Sequence, residues 1–197
     1  MAVKQLYLIR HAQPDFPSGE KMCLGRKLDL PLSAEGVRQA HALGCFFSQL
    51  NIEAVYTSPL LRARQTADLI AGSRRPVHVL EELIELDGGE WDGLTFSQLR
   101  SRYPDSFGHG KRKSCPPGGE RDEDGLRRAH AALSIIAERT QTCAAAVAHS
   151  GIDRVLLCDL LGRPFSEKRE LPHGHAAVSL LEYQDGCWTV KQLSVSI

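Results

Sequence analysis

The sequence predicts an α/β protein in which helices cover a sheet that has parallel strands at its centre. Short apolar runs alternate along the chain with longer segments whose apolar residues recur at helical spacing, which is typical of α/β sandwiches. The run at 143–148 is apolar throughout, as expected of a central parallel strand that is buried on both faces. At 197 residues, the chain fits a single domain over 1–197 that can bury a large core without disulfides or metals.

The composition argues against several classes of protein. The 24 basic residues balance the 24 acidic ones, so no overall field draws the chain to nucleic acid or to a membrane surface. No apolar run is long enough to cross a bilayer, and the start of the chain lacks the pattern of a signal peptide. The six cysteines are scattered without a Cys-x-x-Cys pair, which favours reduced thiols in the cytoplasm over disulfides or a zinc cluster. We therefore expect a cytoplasmic protein with no metal site.

The first predicted strand covers about Lys4–Ile9 and leads directly into Arg10 and His11. The carboxyl end of a strand is where α/β proteins usually place their ligand chemistry. Arg10 offers a fixed charge with a fork of donors, and His11 offers a nitrogen that can act as base, nucleophile or ligand. Pro14 then opens an irregular stretch that reaches about Leu32, and a loop of this length in a compact domain is often functional.

The next elements are two helices separated by a short strand. Ser33 is predicted to be the N-cap of a helix that reaches about Leu50. The strand, at 54–57, is followed at once by Ser58 and Pro59. These two residues predict the N-cap and the first residue of the second helix.

The middle of the chain combines acidic residues with glycine-rich turns. A third strand is predicted at 77–80, and glycines crowd around Trp91. We expect the stretch at about 86–119 to be a loop-rich excursion that caps the domain. Its basic run at 111–113 is interpreted as a solvated loop, with the alternative that it helps to draw in an anionic substrate.

The second half of the chain supplies another histidine after a strand. A long helix is predicted at about 120–139, and the central strand that follows ends at His149. The remaining predicted elements are a helix from about Ile152 to Leu160 and two strands joined by a tight turn, at 178–183 and 188–193.

His11 and His149 both follow strands, and the carboxyl ends of parallel strands share one edge of a sheet, so the two imidazoles can meet there. Arg10 accompanies the first histidine, and Arg62 lies one helical turn beyond another strand. The helix that opens near Gly151 offers backbone donors and the positive end of its dipole. This set suits a phosphoryl group, whose charge spreads over several oxygens that all need donors.

Other chemistries lack their motifs. The sequence has no Gly-rich phosphate loop with Lys-Ser/Thr and no carboxylate cluster suited to magnesium, so a histidine nitrogen is the favoured nucleophile. The segment Ala148–Ile152 lacks both flanking glycines of G-x-S-x-G, which argues against a serine hydrolase.

Six segments resemble, in order, the motifs of the histidine phosphatase superfamily, also called the phosphoglycerate mutase-like family. They are Leu8–Ala12, Asp29–Gly36, Ser58–Ala67, Glu85–Gly93, Pro116–Glu120 and Val147–Gly151. The match covers nearly the whole chain, and six motifs in order are far more specific than one. The resemblance implies a three-layer α/β/α sandwich with a mostly parallel central sheet. It also implies a metal-independent phosphomonoesterase that needs no cofactor and acts on a small-molecule phosphate monoester.

The resemblance also assigns roles to individual residues. It implies that His11 is the nucleophile that becomes phosphohistidine, and that Arg10, Arg62 and His149 hold the phosphoryl oxygens. Glu85 is implied to protonate the leaving alkoxide and then to activate the water that cleaves the phosphohistidine. His11, Glu85 and His149 are thus the expected catalytic residues.

Four further residues, Gln13, Gly25, Ser150 and His175, are candidates to line the pocket. Ser150 and Ala12 stand where the family usually has glycine after each histidine, so we expect a more restricted backbone near Ala12. Neither replacement removes a charged or nucleophilic group, so we expect an active site.

The sequence constrains the substrate and the exact reaction less than it constrains the family. The Trp-Asp-Gly turn at 91–93 and the segment Pro116–Glu120 look more like the small phosphatases of the family, including α-ribazole phosphatases. The candidate substrates are therefore α-ribazole phosphate and sugar phosphates. Phosphoglycerate mutase is the enzyme alternative, and it requires a phosphohistidine that is shielded from water. A non-catalytic protein that binds phosphorylated ligands is the least favoured, because both the nucleophile and the acid are present. The sequence fixes neither the substrate nor the oligomeric state.

Overall fold

The computed structural model describes residues 4–17, 19–107, 115–195 and 197. Its strands form one mixed sheet, and they are β1 (Lys4–Arg10), β2 (Val55–Thr57), β3 (Val77–Val79), β4 (Cys143–Ala148), β5 (Val178–Gln184) and β6 (Cys187–Val195). The strand order is β3-β2-β4-β1-β5-β6. The first four strands are parallel, whereas β5 is antiparallel to β1 and β6 to β5. The predicted α/β fold with a mostly parallel central sheet is confirmed.

Helices cover both faces of this sheet. They are α1 (Ala34–Ser48), α2 (Leu61–Ala71), α3 (Phe96–Arg102), α4 (Pro104–Phe107), α5 (Asp122–Arg139) and α6 (Ser150–Leu160). Helices α1 and α2 pack against each other, and so do α5 and α6. None of the helices in the described part of the chain is long and apolar enough to cross a membrane.

The burial of the central strand β4 explains why the fold has three layers, a sheet between two layers of helices. Successive side chains of a strand point to opposite faces of the sheet. Ala144, Ala146 and Ala148 belong to the apolar cluster that includes α5 and α6. Ala145 and Val147 belong to the cluster that includes α1 and α2. All five side chains are fully buried, so β4 is covered by a helical layer on each face.

A serine N-cap was predicted for both α1 and α2, and the structure confirms only the first. Ser33 caps α1 as predicted, and its Oγ accepts a hydrogen bond from the Gly36 N–H at 3.0 Å. The prediction for α2 is wrong, because this helix begins at Leu61 and Ser58 does not cap it. The cap comes instead from Asp29, whose carboxylate accepts from the Leu61 N–H at 2.8 and 3.0 Å.

The described parts of two long connections lie over the carboxyl ends of the parallel strands. The first, residues 11–33, is joined to the second by an isolated bridge between Met22 and Thr95. The second, at about 86–119, contains α3, α4 and a 3₁₀ turn at Gly89–Trp91. The predicted basic run at 111–113 lies outside the described residues.

Candidate active site

The fold gathers the predicted site residues at one edge of the sheet. Arg10 ends β1, His149 follows β4, and Arg62 lies in the first turn of α2 after β2. Because β2, β4 and β1 are neighbours in the sheet, the ends of these strands lie side by side. Glu85 comes from the segment after β3, and its carboxyl reaches the start of α6.

The His11 side chain is only 4 % exposed, and its ring centroid lies 5.1 Å from that of His149. Its Nδ1 is 2.7 Å from the carbonyl oxygen of Ala12. A carbonyl can only accept, so Nδ1 carries the proton and Nε2 keeps its lone pair. Burial lowers the pKa of His11 well below its usual value, and nearby His149 and Arg62 lower it further. The ring is therefore neutral, with one nitrogen free to act as a nucleophile.

Arg10 is held through its terminal nitrogens. Nη1 donates to the His173 carbonyl at 2.7 Å, and Nη2 donates to His175 Nε2 at 2.9 Å. Because Nε2 of His175 accepts, this ring is neutral, and burial together with the charge of Arg10 lowers the pKa of His175 to about 3. Burial lowers the pKa of Arg10 to about 10, which leaves the guanidinium charged at neutral pH.

Arg62 is fully buried and joins α2 to the loop above the site. Its Nη2 donates to the Gly25 carbonyl at 2.9 Å, and its Nη1 donates to the Leu28 carbonyl at 3.3 Å. The Asp29 carboxylate lies 3.8 Å from Nη1. These contacts leave the Nε side of the guanidinium unused.

His149 is also fully buried, and its Nε2 lies 2.7 Å from Ser58 Oγ. The Ser58 oxygen accepts from the Leu60 N–H at 3.3 Å, and its hydroxyl proton can be donated to Nε2. In the tautomer in which Nε2 accepts from Ser58, His149 carries its own proton on Nδ1. Burial, with the charges of Arg62 and Arg10, lowers the pKa of His149 well below its usual value. Ser58 is the site residue that the sequence reasoning missed, because it interpreted the Ser-Pro pair as a helix cap.

Three buried donors at this edge have no hydrogen-bond partner among the described residues. They are Nε of Arg10, Nε of Arg62 and Nδ1 of His149; buried nitrogens of Arg26 and His173 share the property. An unsatisfied buried polar group costs about 1–3 kcal/mol and is uncommon in folded proteins. Three such donors around one neutral imidazole are suited to bind an anion.

The Glu85 carboxyl is 7 % exposed and is fixed by backbone groups. Its Oε1 accepts from the N–H groups of Leu86 at 2.8 Å and Ile152 at 3.0 Å, and its Oε2 accepts from Gly151 at 2.9 Å. A Cβ on Gly151 would lie 2.5 Å from Oε1, so any larger residue there would displace the Glu85 carboxyl. The donors at the start of α6, which we expected to face a phosphoryl group, are therefore bound to Glu85.

A cavity of about 440 Å³ opens beside Arg10, His11 and Glu85, a size that suits a metabolite rather than a macromolecule. Its polar lining includes His11, Glu85, Ser150 and His175, and its apolar lining includes Pro14, Phe16, Met22, Leu24, Leu86, Trp91, Phe96 and Pro116. Gly25 lines the cavity as well. Gln13 does not line it and instead contacts α1, where its N–H donates to Gln39 Oε1 at 3.0 Å.

The model of the histidine phosphatase superfamily, branch 1, matches residues 6–196. This protein belongs to the histidine phosphatase superfamily. The uncharacterized phosphatase PhoE of Bacillus subtilis is 27% identical over 190 residues, which cover 96% of this chain and 93% of the relative. Phosphoserine phosphatase 1 of Hydrogenobacter thermophilus is 28% identical over 202 residues, which cover 98% and 92%.

Solved structures of similar proteins agree with the fold of this histidine phosphatase. YhfR of Bacillus stearothermophilus has a TM-score of 0.86 at 28% identity and covers 96% of both chains. A mycobacterial glucosyl-3-phosphoglycerate phosphatase has a TM-score of 0.85 at 26% identity and covers 98% of this chain and 100% of its own. The three-layer arrangement expected from the resemblance is thus found in this chain and in its structural relatives.

One departure of this histidine phosphatase from the family is accommodated without strain. Ala12 is fully buried and packs with Leu32 and Ala40. It is not among the described residues with positive φ, so its backbone has a conformation open to any residue. Its N–H donates to Thr66 Oγ1 at 3.1 Å. We expected Ala12 to restrict the backbone next to His11, but the alanine fits there with ordinary backbone geometry and packing.

Proposed function

We propose that the protein is a metal-independent phosphomonoesterase that acts on a small phosphorylated metabolite through a phosphohistidine on His11. The observation that carries this proposal is the set of three unpartnered buried donors, on Arg10, Arg62 and His149, around a neutral imidazole. Donors already in place for a charge that develops in the transition state are the most effective form of electrostatic catalysis.

In the first half of the proposed reaction, His11 Nε2 attacks the phosphorus atom and the bond to the leaving oxygen breaks. The two arginines and His149 hold the phosphoryl oxygens. Glu85, in its protonated form, gives its proton to the leaving oxygen, so the product leaves as a neutral alcohol. The carboxyl can do this because it lines the same cavity as His11.

In the second half, water attacks the phosphohistidine from the side that the alcohol has left. Glu85, now a carboxylate, takes a proton from this water while the bond between phosphorus and Nε2 breaks. Inorganic phosphate leaves, and His11 returns to its neutral form with the proton still on Nδ1. The Ala12 carbonyl holds that proton throughout, which keeps Nε2 aimed at the phosphorus.

The proposal is tested by hydrolysis of p-nitrophenyl phosphate in the presence of EDTA. We expect the wild-type protein to keep its activity, and His11→Ala to lose at least a thousandfold in kcat because no nucleophile remains. His41→Ala is the matched control, since His41 is exposed on α1, and it should keep wild-type activity. Loss of wild-type activity in EDTA would contradict the metal-free mechanism, and equal rates for wild type and His11→Ala would contradict the role of His11.

A second assay distinguishes the phosphatase from the mutase alternative. With 3-phosphoglycerate as substrate, we expect release of inorganic phosphate, because water must reach the phosphohistidine in a phosphatase. Formation of 2-phosphoglycerate without phosphate release would support a mutase instead. A panel that includes α-ribazole phosphate and sugar phosphates, compared by kcat/KM, then ranks the candidate substrates.

A further inference from the structure

Arg154 is a charged residue of the cavity for which the proposed reaction has no use. It lies on α6 and lines the cavity beside Ser150. Its Nε donates to the Leu171 carbonyl at 3.2 Å, and its Nη1 donates to Ser150 Oγ at 2.9 Å. In the part of the chain that the structure describes, Nη2 has no hydrogen-bond partner, and no carboxylate oxygen lies within 4.0 Å of the guanidinium. A partly buried arginine is normally paired with an acid, so this one is available for an anion.

Asp153 and Glu85 are the two carboxyl groups whose charges act on Arg154, and both already have other hydrogen-bond partners. Asp153 Oδ2 lies 2.8 Å from His173 Nε2, and both of these side chains are buried. The Glu85 carboxyl accepts from three backbone N–H groups and is needed for proton transfer. Burial lowers the pKa of Arg154, whereas Glu85 and Asp153 act in the opposite direction. Neither acid is in a position to form a salt bridge with the guanidinium.

Arg154 lies on the side of the site where the leaving group is expected, and not on the side that holds the phosphoryl group. Ser150 and Arg154 are four residues apart, so they lie on the same face of the first turns of α6. The Glu85 carboxyl is bound to Gly151 and Ile152 of that same turn. Because Glu85 is the proposed proton donor to the leaving oxygen, the guanidinium lies on the side where the alcohol is held.

We infer that Arg154 and Ser150 form a subsite for a carboxylate on the leaving group, so the preferred substrates are phosphate monoesters of hydroxy acids. A single guanidinium matches the single charge of a carboxylate, and its planar donors fit the two oxygens. The Ser150 hydroxyl, which already accepts from Arg154, keeps its own proton to donate to the ligand. This inference rests on the proposed function, because it takes Glu85 to mark the leaving-group side.

The inference is tested with two substrates that differ in one group. 3-Phosphoglycerate carries a carboxylate where glycerol 3-phosphate carries a hydroxymethyl group, and kcat/KM for phosphate release is measured for each. A charge-assisted hydrogen bond contributes about 1.5–3 kcal/mol, so the wild type should prefer 3-phosphoglycerate by roughly 10- to 150-fold. If the wild type has nearly equal kcat/KM values for 3-phosphoglycerate and glycerol 3-phosphate, the inference is overturned.

Variants of Arg154 assign the preference to this residue. Arg154→Gln should bring the ratio close to one, since it keeps a donor but loses the charge, and Arg154→Lys should keep part of the preference. Ser150→Gly should reduce the ratio as well, because it removes the contact that orients Nη1. Arg139→Gln is the matched control, as Arg139 is exposed at the end of α5, and it should keep the wild-type ratio. An unchanged ratio in Arg154→Gln would also overturn the inference.

The two proposals fail in distinguishable ways. p-Nitrophenyl phosphate has no carboxylate, so its hydrolysis reports on the phosphatase chemistry alone. Absence of wild-type turnover with this substrate would refute the proposed function. Normal turnover combined with a flat ratio between 3-phosphoglycerate and glycerol 3-phosphate would refute only the carboxylate subsite.

Discussion

His149 depends on one hydroxyl group for its role in the proposed mechanism. Its Nε2 has a single hydrogen-bond partner, Ser58 Oγ, and its Nδ1 has none within the described residues. An imidazole that offers a proton on Nδ1 must accept one at Nε2. Ser58 is therefore a positioning residue that sets which nitrogen of His149 faces the substrate as a donor.

Replacement of Ser58 by alanine tests this dependence. In Ser58→Ala, His149 loses the group that fixes its protonated nitrogen, and a buried nitrogen is left unsatisfied at a cost of about 1–3 kcal/mol. We expect kcat for p-nitrophenyl phosphate to fall by roughly 10- to 100-fold, whereas KM changes less. Ser48→Ala serves as the control, because the Ser48 hydroxyl is exposed on α1. Wild-type kinetics in Ser58→Ala would contradict this role.

Glu85 is expected to matter most when the leaving group is a poor one. An alkoxide must be protonated as it departs, whereas p-nitrophenolate is stable without a proton, and general acid catalysis contributes about 10²–10⁴-fold. Glu85→Gln should therefore lose roughly 100-fold or more in kcat/KM, which reports the step that releases the alcohol, with an alkyl phosphate and far less in kcat/KM with p-nitrophenyl phosphate. Steady-state kinetics on both substrates provide the measurement. Glu81→Gln, at an exposed acid of the same segment, should behave as the wild type. An equal loss on both substrates would indicate a different role.

The sequence identifies the charged residues of the site better than their surroundings. Arg10, Arg62 and Glu85 stand in segments that resemble the family's motifs, and the fold brings them to one edge. Ser58 escapes this kind of reasoning, because a serine before a proline also fits a helix cap. Its actual partner, His149, is 91 residues away in the chain. A hydrogen bond over that separation leaves no local pattern.

The start of α2 shows how a loop and a helix depend on each other. Asp29 lies in the long loop that covers the site, and its carboxylate caps α2 one residue before Arg62. The same carboxylate lies 3.8 Å from the Arg62 guanidinium. The loop therefore stabilises the helix that carries a phosphate-binding candidate.

Asp29→Ala should reduce both stability and activity. Loss of a helix N-cap costs about 1 kcal/mol, so the free energy of unfolding from urea denaturation should fall by about that amount. Asp29→Asn keeps an oxygen that can accept from the Leu61 N–H, and it should retain most of the stability. Asp68→Ala, an exposed position on the same helix, is a second control. If Asp29→Ala unfolds at the wild-type urea concentration, the capping role is refuted.

Elements set by neighbouring residues were predictable, and those set by distant ones were not. The Ser33 cap and the turn at Asp185 and Gly186, whose φ values are 52° and 88°, follow from local chemistry. The start of α2 does not, because Asp29 lies 32 residues before the N–H that it caps. The donors of α6 were correctly located, but their occupant, Glu85, comes from 66 residues earlier.

Four histidines in or next to the site, three of them buried and His175 half-buried, all have a lowered pKa. They are His11, His149, His173 and His175. Burial lowers the pKa of each, to about 3 for His173 and His175, so the folded protein holds them neutral near neutral pH. The unfolded chain protonates them near their usual value of about 6.5. The folded state thus binds fewer protons than the unfolded state below that pH.

Stability should consequently fall as the pH is lowered below about 6.5. Each histidine that stays neutral in the fold costs up to about 1.4 kcal/mol per pH unit in this range. Burial raises the pKa of Asp153, which opposes the trend but is a single group against four. Urea denaturation between about pH 7.5 and about pH 5.5 measures the slope, and His175→Gln should make it shallower. A free energy of unfolding that is constant or rises on acidification would contradict the account.

The overall architecture was predictable because its signals are strong and periodic. An uninterrupted apolar run specified β4, and alternating helices and strands specified an α/β sandwich. The sheet order places β5 and β6 antiparallel beside β1. It depends on pairing between strands that are more than a hundred residues apart in the sequence. The apolar pattern of a strand does not encode its neighbour, so this part required the structure.

The proposed mechanism requires that His11 becomes covalently phosphorylated during turnover. Rapid mixing with a ³²P-labelled substrate, followed by a denaturing alkaline quench, preserves phosphohistidine, which is stable to base and labile to acid. We predict a labelled enzyme at up to one phosphoryl group per chain in the wild type, with the label on His11. The label should accumulate in Glu85→Gln when p-nitrophenyl phosphate is the substrate, and it should be absent in His11→Ala. Turnover by the wild type without any base-stable label, or the same label in His11→Ala, would contradict the mechanism.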